Sequence, residues 1–434
     1  MHTHWFATSL VVAALVLLAG CASKGLLERD VYDDAIHLPE SVPDSLDAHD
    51  FLIIGDTQSS WRAEVKFYRR KNWVTWKQLL VPFYQVYLLG NGILGGVNWY
   101  RQKPDYGGRA RLAVRQALQE EIDASPPPSF LLHLGDIGAH DGRYPDHWDI
   151  FLDEYGRGSP SILEQLPMAP AIGNHEYASD STYGWPNFRH VFDAPRFYVI
   201  DTPEMAIFVL DSNLLLDQHQ FLDDAVQDRL FRTWFVDDSV ADGSPQAAWL
   251  QRELEARKDR SIKIVAMHHP IVSFGWHNRD WYRGSLGTDL LEKRDALLRL
   301  FRDQGVQAVL SGHEHLYEHS TIRLADEMDS TDAFVLHQIV SSGAGAAVRP
   351  PTAPEDVRQR TEKYRSEGLS VTLETQVSTY HYTRARIRRD SLILETRAVD
   401  VHDPSETTPI DRVGIGPIPS HISPTAPDED QPER

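Results

Sequence analysis

Short apolar runs of strand type alternate with amphipathic helical stretches along the middle of this chain, and that alternation predicts an α/β domain. Phe51-Leu-Ile-Ile54 is short, branched and unbroken, the signature of a strand buried on both faces. From Arg109 to Ile122 the spacing is helical, with Leu112, Leu118 and Ile122 read as the apolar face, and Phe130 to Leu134 is the next strand. These three pieces make one βαβ unit. Phe197 to Ile200 and Met205 to Leu210, joined through Pro203, predict a hairpin. Ala247, Leu250 and Leu254 mark a helix before a strand at Ile262 to Ala266, and a helix from Leu290 to Phe301 leads into a strand at Ala308 to Leu310. Phe334 to Val340 and Thr379 to Val399 are strand-like, so the body, residues 51–400, is expected to end in β-structure.

A polar cluster follows five of these strands. Gly55-Asp56-Thr57-Gln58 follows the first and Gly135-Asp136 the second. Gly173-Asn174-His175-Glu176 follows Ala169 to Ile172, His268-His269-Pro270 follows Met267, and Ser311-Gly312-His313-Glu314-His315 follows Leu310. In open α/β sheets ligands bind beyond the carboxyl ends of the strands, so the five clusters should meet on one edge. Their side chains are oxygen and imidazole donors, suited to first-row divalent cations. Two such cations, about 3.5 to 4 Å apart, can clamp a phosphoryl group and activate a bridging water, which implies hydrolysis of a phosphate ester. His133, inside a strand, reads as a core histidine.

Composition narrows the class. At 434 residues, with 41% apolar and 24% charged residues, the chain is globular, and its formal charge of −20 opposes binding of a nucleic-acid polymer. One segment inverts that charge. Within an insertion expected over residues 59–107, Trp61 to Tyr100 carries ten aromatic residues and six basic ones (Arg62, Lys66, Arg69, Arg70, Lys71 and Lys77) against the single acid Glu64. It reads either as a membrane-surface element or as a subdomain that packs on the body or covers the site. Residues 401–434, rich in Pro, Ser, Thr and acids, are expected to be a disordered tail.

At the N-terminus, Ser9 to Gly20 is apolar but too short to span a bilayer and fits a secretory signal. Leu18-Ala19-Gly20-Cys21 resembles the bacterial lipoprotein processing box. That resemblance implies a signal peptide over 1–20 and a lipid-modified Cys21 that attaches the chain to a membrane; residues 21–50, with eight acids against Lys24 and Arg29 and with Pro39 and Pro43 interrupting any helix, read as an acidic tether. With Ala22 next, it also implies the periplasmic side of the bacterial cell envelope, the outer membrane favoured.

Taken in order, Gly-Asp, Gly-Asp, Gly-Asn-His-Glu, His-His-Pro and Gly-His-Glu-His resemble the calcineurin-like metallophosphoesterases, including their purple acid phosphatase branch. The resemblance implies a four-layer α-β-β-α sandwich with two mixed sheets and a centre of two divalent metal ions (Mn, Fe or Zn). By the same resemblance Asp136 bridges the metals through its two oxygens. Asp56, Gln58 and His315 complete one site, and Asn174, His268 and His313 the other. His175 acts on the leaving-group oxygen, Glu176 orients a neighbouring imidazole, and His269 stands behind the ligands. Gln58 occupies the place where many members have histidine, a neutral, weaker ligand that favours Mn²⁺ over Zn²⁺. Ala139 stands where purple members carry tyrosine, which argues against a tyrosinate-coloured ferric site. The loop Trp276 to Arg283 is a further candidate, as a source of an arginine for phosphate. The implied function is hydrolysis of a phosphomonoester or phosphodiester. The alternatives are a nucleotide or phospholipid diphosphate hydrolase, or a non-catalytic binding lipoprotein.

Overall fold

The computed structural model describes residues 50–58, 108–138, 142, 145–157, 160–177, 181–214, 245–282, 290–324, 334–388 and 391–416. Cys21, the signal peptide, the acidic tether up to residue 49 and the 59–107 insertion lie outside them, as do Ala139 and Arg283.

Two mixed sheets stack face to face. The first has six strands in the order β13-β12-β11-β1-β2-β3, where β1 is Asp50–Ile54, β2 Leu131–His133, β3 Met168–Pro170, β11 His381–Arg388, β12 Ser391–Val399 and β13 Thr407–Ile415. The second has seven, β10-β8-β9-β7-β6-β5-β4, with β4 Tyr198–Asp201, β5 Met205–Val209, β6 Ile262–Ala266, β7 Ala308–Ser311, β8 Tyr317–Leu324, β9 Leu336–Ser341 and β10 Leu369–Val377. β1, β2 and β3 run parallel, as do β5, β6, β7 and β9.

Alternation within each strand shows why four layers form. Phe51 and Ile53 of β1 point inward to meet Ile207, Val209, Ile264 and Leu310 of the facing sheet. Leu52 and Ile54 point outward to α1 (Gly108–Asp123), where they join Val114, Leu118 and Trp148. On the other side, Phe208 and Val265 meet Leu250 and Leu254 of α2 (Pro245–Ala256) and Leu297 and Phe301 of α3 (Leu290–Gln304). A fourth helix, α4 (Pro354–Ser366), packs Tyr364 into the same cluster. Strands covered on both faces need unbroken apolar runs, which is what these sequences supply.

Two expectations change. Leu112 is 51% exposed. Leu118 is buried and Ile122 packs against the same cluster as expected, and Ala110, Ala113, Val114 and Ala117 complete the buried face, the alanines letting α1 approach the sheet closely. The expected tail 401–434 is ordered as far as residue 416, because β13 pairs antiparallel with β12. Pro409 is accommodated where the register shifts on this edge strand, and Asp411 accepts from Tyr317 Oη at 2.8 Å across the sandwich.

Candidate metal centre

The parallel strands of both sheets deliver their carboxyl ends to one edge, and the five polar clusters meet there. Asp56 after β1 accepts the His313 backbone N–H after β7 on both carboxylate oxygens, at 3.1 and 2.9 Å, which ties one sheet to the other. Asp56, Asp136, His313 and His315 have φ of 62°, 55°, 78° and 53°. Among the described residues only one other non-glycine residue, Asp193, has positive φ. Such conformations cost roughly 1 to 3 kcal/mol apiece and persist where surrounding structure demands them. Of the glycines beside the ligands, Gly135 (φ 90°) uses left-handed freedom, whereas Gly312 is there for space: a Cβ on it would stand 2.7 Å from Asp56 Oδ2.

Each of three imidazoles has one ring nitrogen anchored away from the centre. His268 Nδ1 donates to Leu134 O at 2.8 Å, His313 Nε2 to Asp280 Oδ2 at 2.9 Å and His315 Nδ1 to Ala347 O at 3.3 Å. These anchors select the tautomers and turn the other nitrogens, as lone pairs, into a common space. There His268 Nε2 lies 3.0 Å from Asn174 Oδ1, 3.1 Å from His313 Nδ1 and 3.3 Å from Asp136 Oδ2, while His315 Nε2 lies 3.4 Å from Asp56 Oδ1. The Gln58 amide nitrogen sits 3.2 Å from Asp136 Oδ2 and 3.1 Å from His315 Nε2, and its carbonyl Oε1 is buried with no hydrogen-bond partner among the described residues. Buried acceptors crowded this closely repel one another unless positive charge lies between them, so the donor set fits divalent cations.

Titration tells the same story. Burial raises Asp56 well above the usual carboxylate range, whereas at Asp136 burial is outweighed by His268 and His175, which hold it below that range. Burial works against protonation of His268, yet Asp136 and Asp56 beside it raise it to about 9. Burial and Arg349 hold His315 down at about 3, and burial among other imidazoles depresses His313.

Around this centre the expected residues take definite places. Asp136 Oδ1 accepts from the His175 backbone N–H at 2.9 Å, while Oδ2 lies near both donor groups, beside Gln58 Nε2 and His268 Nε2. His175 Nε2 is 3.9 Å from that Oδ2, with its side chain a quarter exposed. Glu176 does not orient an imidazole: it accepts from the backbone N–H groups of Asp136, Ile137, Gly138 and Gly173 at 2.8, 2.9, 3.2 and 2.7 Å, clamping the two ligand loops together. Burial, with Asp136 beside it, pushes its carboxyl up to about 7 against those four amides. His269 is buried behind His313, its Nδ1 2.8 Å from Ser212 Oγ. His133 shares a hydrogen bond with Thr57 Oγ1 through Nε2 at 3.0 Å, while its Nδ1 is buried without a partner among the described residues.

Among the described residues of the loop after β6, the side chain that reaches the centre is an acid. Asp280 holds His313, and the His277 ring lies 3.8 Å from the same ring, tilted by 40°, whereas Arg279 is exposed and Arg283 lies outside the described residues. Among the described residues an arginine beside the centre is Arg349, whose backbone N–H donates to His315 O at 2.9 Å. No local pattern announces Arg349; Asp280 stands in a segment that was singled out for other residues.

A family model for calcineurin-like phosphoesterases matches residues 49–317, from the first strand into β8. Purple acid phosphatase 17 of Arabidopsis thaliana is 24% identical over 267 residues, 58% of this chain and 68% of that protein. Among solved structures, purple acid phosphatase PPD1 from yellow lupin (Lupinus luteus) seeds is similar at a TM-score of 0.51 and 15% identity. That likeness, which is one of fold, covers 86% of this chain and 55% of the lupin chain. With the family matched across most of the sandwich and the strand ends converging as they do, the chain belongs to the calcineurin-like phosphoesterases and is a metal-dependent phosphoester hydrolase.

Proposed function

We propose that the chain hydrolyses a phosphomonoester or phosphodiester at a centre of two divalent cations. Asp56, Gln58 and His315 would hold one, Asn174, His268 and His313 the other, and the Asp136 carboxylate would serve both. The observation that carries this reading is the set of inward-facing lone pairs, fixed from behind by Leu134, Asp280 and Ala347. Bound there, the cations would neutralise phosphoryl oxygens and lower the pKa of a coordinated water. The chain's own part is placement and proton transfer. Glu176 fixes the Asp136 and Gly173 loops relative to each other, so the two ligand sets keep their spacing. His175, held by its backbone to Asp136 and Gly142 and open to solvent on one side, carries at Nε2 the proton that the departing alkoxide needs. The same proposal includes attachment to the bacterial envelope through Cys21, tested by loss of labelled fatty-acid incorporation in Cys21→Ser.

The test of function is a panel of phosphoesters on the full chain with Mn²⁺, Zn²⁺, Co²⁺ and Fe²⁺ supplied separately. Asp136→Asn is expected to abolish turnover and lower metal stoichiometry, since a neutral amide is a poor bridge between cations. Near wild-type turnover with two metals still bound would remove Asp136 from that role.

A further inference from the structure

Trp276 is 73% exposed, an unusual state for a large apolar side chain among the described residues. Its backbone, by contrast, is tightly held. Glu314, itself buried, accepts from the Trp276 and His277 amides, and Gly275 O accepts from Asn278 Nδ2 at 2.8 Å and Arg360 Nη1 at 2.9 Å. An exposed indole on a rigid base is an anchor for a binding partner, because little entropy is lost when a ring stacks on it. Its place is at the rim of the metal centre: the next residue, His277, covers the His313 ring.

Arg349 lies over one face of that indole, its guanidinium carbon 5.7 Å from the ring centroid. Its backbone is bonded to His315, the ligand across the centre from His313. Its Nη1 is buried and has no hydrogen-bond partner among the described residues, although Glu314, Asp56, Asp136 and Asp280 all act on its charge. A guanidinium N–H with no acceptor, beside a centre built for phosphoryl oxygens, is suited to one of those oxygens.

We propose that Trp276 and Arg349 form the specificity subsite of this centre and select phosphoesters whose alcohol carries a planar ring, as in a nucleotide. The ring stacks on the other face of Trp276 while Arg349 Nη1 donates to a phosphate oxygen. The proposal rests on the hydrolytic reading above.

The experiment uses the full-length, Mn²⁺-loaded protein and its Trp276→Ala, Trp276→Phe, Arg349→Ala and Arg349→Lys variants, each checked for metal content and thermal unfolding. Adenosine 5′-monophosphate and p-nitrophenyl phosphate are compared with ribose 5-phosphate and glycerol 3-phosphate. Trp276→Ala should raise KM about tenfold for the two ring-bearing esters and leave the other two unchanged, the order expected for loss of one base–aromatic stack, with Trp276→Phe recovering most of it. Arg349→Ala should raise KM for all four esters, with Arg349→Lys recovering part. Equal shifts for ringed and ringless esters in Trp276→Ala, or none, would overturn the proposal. Calorimetric binding of adenosine 5′-monophosphate and ribose 5-phosphate reads the subsite without turnover. Absence of hydrolysis of every ester would therefore count against the hydrolytic reading, whereas equal affinity for those two ligands counts against this one.

Discussion

Replacing Asp280 with alanine removes the acceptor that fixes His313 from behind. In the native arrangement Asp280 Oδ2 takes the Nε2 proton at 2.9 Å, and both groups are buried, so water cannot substitute freely. Without that anchor the ring can carry its proton on Nδ1, the nitrogen that faces His268 at 3.1 Å, and a protonated nitrogen is no ligand. Loss of such an outer partner typically costs about 10- to 100-fold in metal affinity, or roughly 1.4 to 2.7 kcal/mol. The loss should fall on one site only. His315 is oriented by Ala347 and Asp56 by the His313 backbone, and neither contact involves Asp280. Chelator competition with Mn²⁺ on the metal-free full chain should show one site weakened and the other within about twofold of wild type. Asp280→Asn, which keeps a carbonyl acceptor, should recover most of the affinity. Equal weakening of both sites, or of neither, would refute the argument that Asp280 acts through the His313 tautomer.

Three further outcomes follow from particular atoms. His175→Ala should keep its metals and lose about 10² to 10⁴ in kcat for esters with poor leaving groups; an unchanged kcat for such an ester would show that the proton comes from elsewhere. Gln58→His should raise Zn²⁺ affinity at the site beside His315, because imidazole is the better donor for that ion; a metal titration unchanged at both sites would mean that position 58 ligates nothing. Burial holds His381, at the start of β11 beside Gly343, near 4 in the folded state against about 6.5 unfolded, so its stabilising contribution is complete above pH 6.5 and is lost as pH falls towards 4. Denaturant unfolding between pH 7 and pH 5 should therefore be shallower in pH dependence for His381→Phe by about 2 kcal/mol, and an identical slope would contradict the assignment.

The parallel core of the fold was legible because strands covered on both faces are mostly apolar, and β1, β5, β6 and β7 are so, with Asp50 and Ser311 at strand ends and Lys263 the one charged residue inside β6. The strands left out of the reading are those whose burial depends on partners rather than composition. β8 places Glu318 and Ser320 inside the body, where Glu318 accepts from the Phe274 amide and from Gln376; its polar text makes sense only once those donors are known. β13, an edge strand with a proline and mostly half-exposed residues, has the composition of a tail and the hydrogen bonds of a sheet. The α1 face was misread at Leu112 for the opposite reason, since alanine fills positions where a larger apolar residue would have made the period obvious.

Ligand candidates could be read locally because topology does the assembly: a strand ends, the chain turns through a glycine, and the next polar residue is at the edge where all parallel strands end. What supports those ligands cannot be read that way. Asp280 is 33 residues from His313 and Arg349 is 34 from His315, and only the return of separate loops over the sheet edge brings them together. Their identities still obey simple chemistry, since an imidazole that must offer one lone pair needs an acceptor on its other nitrogen. Leu134 O, Ala347 O and Asp280 Oδ2 meet that need in three different ways. Two are backbone carbonyls that any residue could supply; the third is a side chain that a single substitution removes. It follows that the His313 site is the one that mutation can weaken selectively, and that of the three anchors only Asp280 could have left a trace in the sequence.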